Sequence, residues 1–187
     1  MGSSAYYHNN LCISESKMYQ LRKFDLAGIA IMISGSATPP FYYTYMCKEQ
    51  VFYQKLYLGL AWVSSLIALY VTMHPSQRDF KNRWVLAVSF IAAAFCSAPG
   101  LLHPFIVEDN SFVRHFPAHY FIVGGAVYIF GAILYTLKWP EKKFPGKFDN
   151  FGNSHNIFHV CVLIGALIHW CGSIKIFHER QLYSCPL

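Results

Sequence analysis

Two histidines at helical spacing are the clearest chemical signal in the chain. His155 and His159 stand four positions apart in the stretch Ser154-His155-Asn156-Ile157-Phe158-His159. On a helix, residues at this spacing lie one turn apart on the same face. Two imidazoles placed in this way can hold a single zinc ion. The same spacing is also common among surface and packing histidines, so the pair indicates a metal site only together with further ligands.

Three other residues are candidates for the same chemistry. His8 follows Ser4 by four positions, so both share one face if the N-terminal segment is helical. Asp25 stands directly before a long uncharged stretch. An ionisable residue so close to an apolar segment indicates a functional site. The alternative for Asp25 alone is a carboxylate that is favoured by the dipole of a helix N-terminus.

The composition defines the environment in which these residues must be positioned. Apolar residues make up 55% of the 187 positions and charged residues only 13%, whereas soluble domains have about 25% charged residues. This apolar content excludes a disordered chain. The net charge is +6, but the basic residues are too sparse for a nucleic-acid-binding face. We therefore predict a polytopic membrane protein without a nucleic-acid partner.

Five long apolar runs predict the fold class, an all-α polytopic transmembrane helix bundle. The runs cover residues 26–45, 56–73, 84–107, 120–137 and 157–177, and all nine carboxylates fall outside them. Each run can cross a hydrocarbon core of about 30 Å as a helix, which satisfies its own backbone hydrogen bonds. Pro39-Pro40 and Pro99-Gly100 are expected to interrupt the first and third spans.

The distribution of Lys and Arg predicts the orientation. With five spans, one side of the membrane carries ten basic residues and the other side five. The positive-inside rule then places the N-terminus in the cytoplasm and the C-terminus outside. His8, Asp25, His155 and His159 all fall at the cytoplasmic ends of their segments. Cys47 and Cys185 both fall on the outer side and could pair, although the sequence alone does not establish a disulfide.

Two blocks of sequence resemble a known family. One contains His8-x-x-x-Cys12-x-Ser14-Glu15 followed by Lys23-Phe24-Asp25-Leu26-Ala27-Gly28; the other runs from Pro140 to Asp149 and continues into Ser154–His159. They resemble the progestin and adipoQ receptor (haemolysin III) family, and most closely its adiponectin-receptor branch. The intervening spans agree with the family in number and length, so the resemblance covers essentially the whole chain.

The resemblance implies a site and a function. A buried zinc ion would be held by His8, His155 and His159, with Asp25 binding or orienting a zinc-bound water as a general base and Ser4 beside the site. Family members are seven-helix receptors, and some are similar to zinc-dependent ceramidases. This implies a plasma-membrane receptor for an unknown extracellular ligand, which hydrolyses the amide bond of a ceramide-like lipid with zinc-activated water. A membrane lipid, namely ceramide or another sphingolipid or fatty acid, would be its ligand or substrate.

The resemblance also predicts the extent of the chain. Five full spans of the family's seven are expected, and residues 1–24 are expected to hold the end of a truncated preceding helix and a cytoplasmic loop. Three alternatives remain: a catalytically silent receptor with a structural zinc, an inactive fragment, and a haem-binding electron carrier. The last needs histidines that face one another across helices, which a pair on one helix does not provide.

Overall fold

A computed structural model describes residues 2–10, 14–75, 83–107, 111–148, 151–183 and 185. Every regular element within these ranges is helical. Cys12 and Asp149, which belong to the two sequence blocks above, lie outside the described ranges. The same holds for Arg78 and Lys81, two of the ten basic residues counted for the cytoplasmic side.

The described residues form nine α-helices and one short 3₁₀ helix, which turns and loops connect. They are α1 (Gly2–Asn9), α2 (Glu15–Thr44), the 3₁₀ helix (Lys48–Gln50), α3 (Val51–Met73), α4 (Arg83–Ser97), α5 (Pro99–Leu102), α6 (Pro104–Val107), α7 (Ser111–Arg114), α8 (Ala118–Leu137) and α9 (Ser154–Leu182). Within the described ranges, four segments are long and apolar enough to cross a membrane: Lys48–Met73, Arg83–Ile106, Ala118–Leu137 and Ser154–Leu182. The predicted fold class, an all-helical polytopic membrane bundle, is confirmed.

Helix α2 contains the first of the five predicted spans but differs from the prediction. It has 30 residues, enough to cross a bilayer, but its polar residues keep it outside the four most apolar segments. It begins at Glu15 because the Ser14 hydroxyl accepts a hydrogen bond from the Lys17 backbone N–H at 3.3 Å and caps the helix. Asp25 is therefore about three turns inside α2, where the dipole of the N-terminus no longer acts.

The two predicted proline interruptions have different outcomes. Helix α2 continues through Pro39 and Pro40 to Thr44, so the first expected break is wrong. The third span does break, because α4 ends at Ser97 and α5 begins at Pro99. Pro99 occupies the first position of α5, where the missing N–H of proline would be unpaired in any helix.

Close packing of small residues joins α8 and α9, the most extensively paired helices among the described residues. A Cβ added to Gly131 of α8 would lie 2.6 Å from Cys161 Cβ of α9. A Cβ at Gly172 of α9 would lie 2.8 Å from Tyr120 Cβ of α8. Because lipid provides no hydrophobic force between helices, such backbone approach is a main source of helix association in membranes.

The ends of α2 and α9 opposite His8 and Asp25 are tied together. Arg180 is buried and donates hydrogen bonds to the backbone carbonyls of Tyr43, at 2.9 Å, and Thr44. Its guanidinium also lies 3.6 Å from the centre of the Phe112 ring. Cys47 and Cys185 form a disulfide across 138 residues of sequence. The pairing that the sequence left open is therefore present.

The outer surface of the bundle is apolar. Less than a third of the residues in each of the four candidate spans is buried. Large apolar side chains such as Ile67, Ile122 and Trp170 are about 60% exposed. A water-soluble protein rarely exposes apolar patches of this extent, so this surface is suited to contact with lipid chains.

Candidate metal centre

One face of helix α1 carries three polar side chains and is turned toward the rest of the bundle. Ser4, Tyr7 and His8 are spaced by three and four residues and so lie on the same side of the helix. Ser4 and Tyr7 are buried. Gly28 of α2 allows the close approach, because a Cβ at that position would collide with the Ser3 hydroxyl. The N-terminal helix is thereby held against α2 with His8 facing inward.

Hydrogen bonds to two side chains, those of Asn153 and Glu141, fix the start of α9. The Asn153 side chain accepts a hydrogen bond from the Asn156 backbone N–H at 3.0 Å, which caps the helix. Glu141 accepts hydrogen bonds from the Ser154 backbone N–H, at 2.8 Å, and from the Ser154 hydroxyl. A carboxylate is favoured at this position because the first N–H groups of a helix are unpaired and carry partial positive charge.

The same contacts act on the acidity of Glu141. Partial burial alone would raise the pKa of this carboxyl, but the two hydrogen bonds from Ser154, a hydrogen bond from the backbone of Glu141 itself and the attraction of Arg83 together outweigh the burial. The net result is a pKa below the ordinary value of 4.5. Glu141 is therefore ionised at neutral pH and anchors the residue directly before His155.

Three imidazoles converge at the junction of α1 and α9. His155 Nε2 lies 2.9 Å from His8 Nε2 and 2.9 Å from His159 Nε2. One ring nitrogen of each residue lies within 4.8 Å of the others. Three nitrogens at about 2.0–2.1 Å from a tetrahedral zinc ion would be about 3.3 Å apart. The two spacings of 2.9 Å are about 0.4 Å shorter than this value, and the third is no longer than 4.8 Å.

Hydrogen bonding alone does not satisfy this cluster. His155 Nε2 contacts two other ring nitrogens, but a ring nitrogen either donates one proton or accepts through one lone pair. It can therefore form only one of the two contacts as a proper hydrogen bond. A cation among the three neutral imidazoles would satisfy all three lone pairs, so the donor set fits a metal ion such as zinc.

A cavity of about 250 Å³ adjoins the histidines. Ser4 and Asp25 line it together with all three imidazoles. The Ser4 hydroxyl is buried and has no hydrogen-bond partner among the described residues. An unpartnered buried hydroxyl is unfavourable, and this one faces a space in which a water or a substrate group can bind. The structure thus brings all five sequence candidates into one site.

A second cavity adjoins two of the three histidines. It has a volume of about 410 Å³ and shares His8, Arg83 and His155 with the first. Glu141 and Asn153, the residues that fix the start of α9, also line it. His8 and His155 therefore border both a largely apolar cavity and a more open, more polar one.

Sequence reasoning missed several residues of the site. Arg22 appeared to belong to a cytoplasmic loop, but it is buried in α2 and lines the first cavity. Arg83 lines both cavities and donates a hydrogen bond to the Tyr135 carbonyl at 3.2 Å. Tyr7 also lines the first cavity. Their positions carry no motif; only the helical spacing of Tyr7 from Ser4 could have indicated its face.

The other histidines of the described residues lie outside the three-histidine cluster. His169 of α9 lies near the Phe121 carbonyl, at 3.3 Å, and packs against the Tyr128 ring. His103 packs against Tyr53, with ring centres 4.4 Å apart. These contacts agree with packing roles.

The fold and the site define a class of protein: an all-helical, polytopic membrane protein with a three-histidine cluster at one end of the bundle. Residues 1–170 match the family described as "Haemolysin-III related". The chain belongs to this family, and the resemblance found in the sequence is confirmed.

Curated relatives support the assignment. "Heptahelical transmembrane protein 4" of Arabidopsis thaliana is 33% identical over 183 residues, which cover 98% of this chain and 47% of the relative. "Heptahelical transmembrane protein 5" of the same plant is 36% identical over 169 residues, covering 90% and 44%. "Adiponectin receptor protein" of Drosophila melanogaster is 31% identical over 185 residues, covering 98% and 41%. The chain thus spans less than half the length of these relatives.

Proposed function

We propose that the protein is a zinc-containing membrane receptor that hydrolyses a ceramide-like lipid amide. The observation that carries this proposal is the convergence of His8, His155 and His159, with neighbouring ring nitrogens 2.9 Å apart, beside a cavity that Asp25 and Ser4 also line. Three histidines with an open fourth position are typical of catalytic zinc sites, whereas structural sites are closed by four protein ligands.

The chemistry follows from the roles that the side chains can take. A zinc ion held by these residues would polarise a carbonyl group and lower the pKa of a bound water to about 7. Asp25 would accept a proton from the attacking water at its carboxylate and return it to the leaving nitrogen. The Ser4 hydroxyl, which has no other described partner, would hold the water or the substrate by a hydrogen bond.

The surroundings of the site favour a lipid as substrate. The wall of the cavity includes Leu26, Ile29 and Phe158 among other apolar side chains. Such a wall can bury acyl chains and exclude bulk water from the reacting group. One relative is named an adiponectin receptor protein, which supports a receptor function with an extracellular ligand for this chain as well.

We further propose the orientation and location expected from the sequence. The histidine cluster would lie at the cytoplasmic side of the plasma membrane, with the Cys47–Cys185 disulfide outside. Disulfides persist in oxidising compartments and are rare in the cytosol, so the pairing of these cysteines supports the same direction as the count of basic residues.

Metal analysis tests the zinc site. Protein purified without chelators should contain about one zinc per chain by mass spectrometry of the metal. The double variant His155→Ala, His159→Ala should lose it, because two of the three proposed ligands are removed. A matched variant, His169→Ala, should keep its zinc, since His169 packs elsewhere on the same helix. Zinc-free wild-type protein would contradict the proposal.

Release of fatty acid from ceramide tests the reaction. Purified zinc-loaded protein should release fatty acid faster than a metal-stripped sample, and restored zinc should restore the rate. A protein that holds zinc but releases no fatty acid above the stripped control would instead be a catalytically silent receptor, in which the metal connects α1 to α9 and contributes stability.

A further inference from the structure

Tyr7 is a buried residue of the first cavity whose polar group the proposed mechanism does not use. Its side chain is 7% exposed, and it lines the cavity beside the three histidines and Asp25. It precedes His8 in the chain, and the two ring centres are 4.8 Å apart. The Tyr7 ring is therefore in contact with the ring of His8, one of the proposed zinc ligands.

The hydroxyl of Tyr7 is not explained by packing. Phenylalanine would fill the same space and place no polar atom at the cavity wall. The Tyr7 oxygen is also not sealed inside the protein, because it is not a fully enclosed polar atom without a partner as the Ser4 hydroxyl is. Tyr6, the preceding residue, is 62% exposed and does not line the cavity. Of these two adjacent tyrosines, only Tyr7 presents a hydroxyl that a bound molecule can satisfy.

The groups around Tyr7 favour its use as a donor. Arg22 and Asp25 lie near enough to act electrostatically on its hydroxyl, as does Tyr135. Asp25, when ionised, can only accept hydrogen bonds, and the three imidazoles would direct lone pairs to a metal. A hydroxyl that can donate its proton in a hydrogen bond is thus a complementary partner for a carbonyl oxygen.

We propose that Tyr7 is a further catalytic residue, whose hydroxyl donates a hydrogen bond to the carbonyl oxygen of the lipid amide. The inference rests on the proposed function. During hydrolysis the water oxygen bonds to the carbonyl carbon and the carbon–nitrogen bond breaks. One water proton passes through Asp25 to the leaving nitrogen, giving a carboxylic acid and an amine. Negative charge develops on the carbonyl oxygen, and a donor placed there stabilises the transition state.

Tyr7→Phe removes the hydroxyl and leaves the ring. We expect kcat for ceramide hydrolysis to fall by about 100-fold or more, the usual effect of removing one such donor, while zinc content stays at that of the wild type. Tyr6→Phe is the matched control and should keep both. Wild-type kcat in Tyr7→Phe would overturn the inference and leave the proposed function intact.

Binding to zinc-free protein gives a second measurement. A fluorescent short-chain ceramide in detergent micelles should bind Tyr7→Phe about two- to tenfold more weakly than wild type, the effect of one neutral hydrogen bond, and should bind Tyr6→Phe normally. If wild type binds ceramide but does not hydrolyse it, the proposed hydrolysis is wrong, but weaker binding by Tyr7→Phe still supports the contact between Tyr7 and the carbonyl group. If such a wild type and Tyr7→Phe bind ceramide equally, that contact is wrong as well. A wild type that neither binds nor hydrolyses ceramide overturns both the proposed function and the role of Tyr7.

Discussion

Asp25 and the histidines differ in what their loss should do to the protein. His8, His155 and His159 have converging ring nitrogens, so they are suited to holding the metal. Asp25 lines the same cavity from α2 but is not part of the converging group. The two kinds of residue should therefore separate in experiment, because one kind binds the ion and the other moves a proton.

Asp25→Asn should remove activity and keep the metal. We expect about 10²- to 10⁴-fold slower ceramide hydrolysis, the usual contribution of a general base, with zinc content unchanged. Enzyme assays and metal analysis on one preparation check this. Glu49→Gln is a suitable control because Glu49 is exposed in the 3₁₀ helix at the other end of the bundle. Loss of zinc in Asp25→Asn would instead make Asp25 a metal ligand.

Many of the residues that the structure brings together at the site could be predicted from the sequence. The spacing of His155 and His159 predicts their common face directly, and the positions of His8, Ser4 and Asp25 place them on the same side of the membrane. Arg22 could not be recognised, because no spacing rule distinguishes a basic residue in a loop from one buried at a cavity, and only the helical spacing from Ser4 indicated the face of Tyr7. Their burial depends on how α1 and α2 pack together.

The helix elements position the site, and the start of α9 is the most sensitive of them. Glu141 accepts two hydrogen bonds from Ser154, the residue before His155. The lowered pKa of Glu141 means that the ionised carboxylate stabilises the folded state. This contribution is present above the ordinary pKa of 4.5 and is lost as pH falls through the folded-state pKa.

Glu141→Gln should therefore show a pH-dependent loss of stability. In metal-free protein, the wild type should be more stable than the variant at neutral pH. The difference should shrink as pH falls below 4.5. Thermal unfolding followed by tryptophan fluorescence measures it, with Glu49→Gln as control. A difference that does not change across this range would mean that the charge of Glu141 does not contribute.

The pairing of α8 with α9 offers a matched test of packing. Gly131→Ala should destabilise the bundle by about 1–3 kcal/mol, as overpacking usually does, since its Cβ would lie 2.6 Å from Cys161 Cβ. Gly125→Ala on the same helix has no heavy atom within 4 Å of the added carbon. It should be neutral or stabilise by about 0.5–1 kcal/mol. Unfolding in mixed micelles compares them; equal effects would contradict tight α8–α9 packing.

The elements also show where sequence reasoning is weak. Apolar length predicted α3, α8 and α9 to within a few residues, since long uncharged runs have few other structures. It missed the start of α2 because Glu15 to Lys23 is too polar to count as a span, although Ser14 before it is a typical N-cap. It expected a break at Pro39-Pro40, where the helix continues.

For the whole molecule, the disulfide provides a test of orientation. On intact cells, an impermeant reductant followed by an impermeant maleimide should label the wild type but not the double variant Cys47→Ser, Cys185→Ser. The expected reason is that both cysteines, paired in the fold, face the outside. Labelling that requires permeabilised cells would reverse the orientation and place the histidine cluster outside.

Arg180 and the disulfide have a mechanical consequence for the distant site. They join α2 and α9 at one end, while Asp25 on α2 and His155 on α9 occupy the other. The two helices are thus fixed to each other at the end that holds Arg180 and the disulfide. From Asp25 to Thr44 the arm is about 28 Å long at about 1.5 Å per residue, so a tilt of about 5° displaces its tip by about 2.4 Å. A tilt of α2 by this angle would therefore change the separation of Asp25 from the histidines by nearly the length of a hydrogen bond, which is about 2.7–3.2 Å.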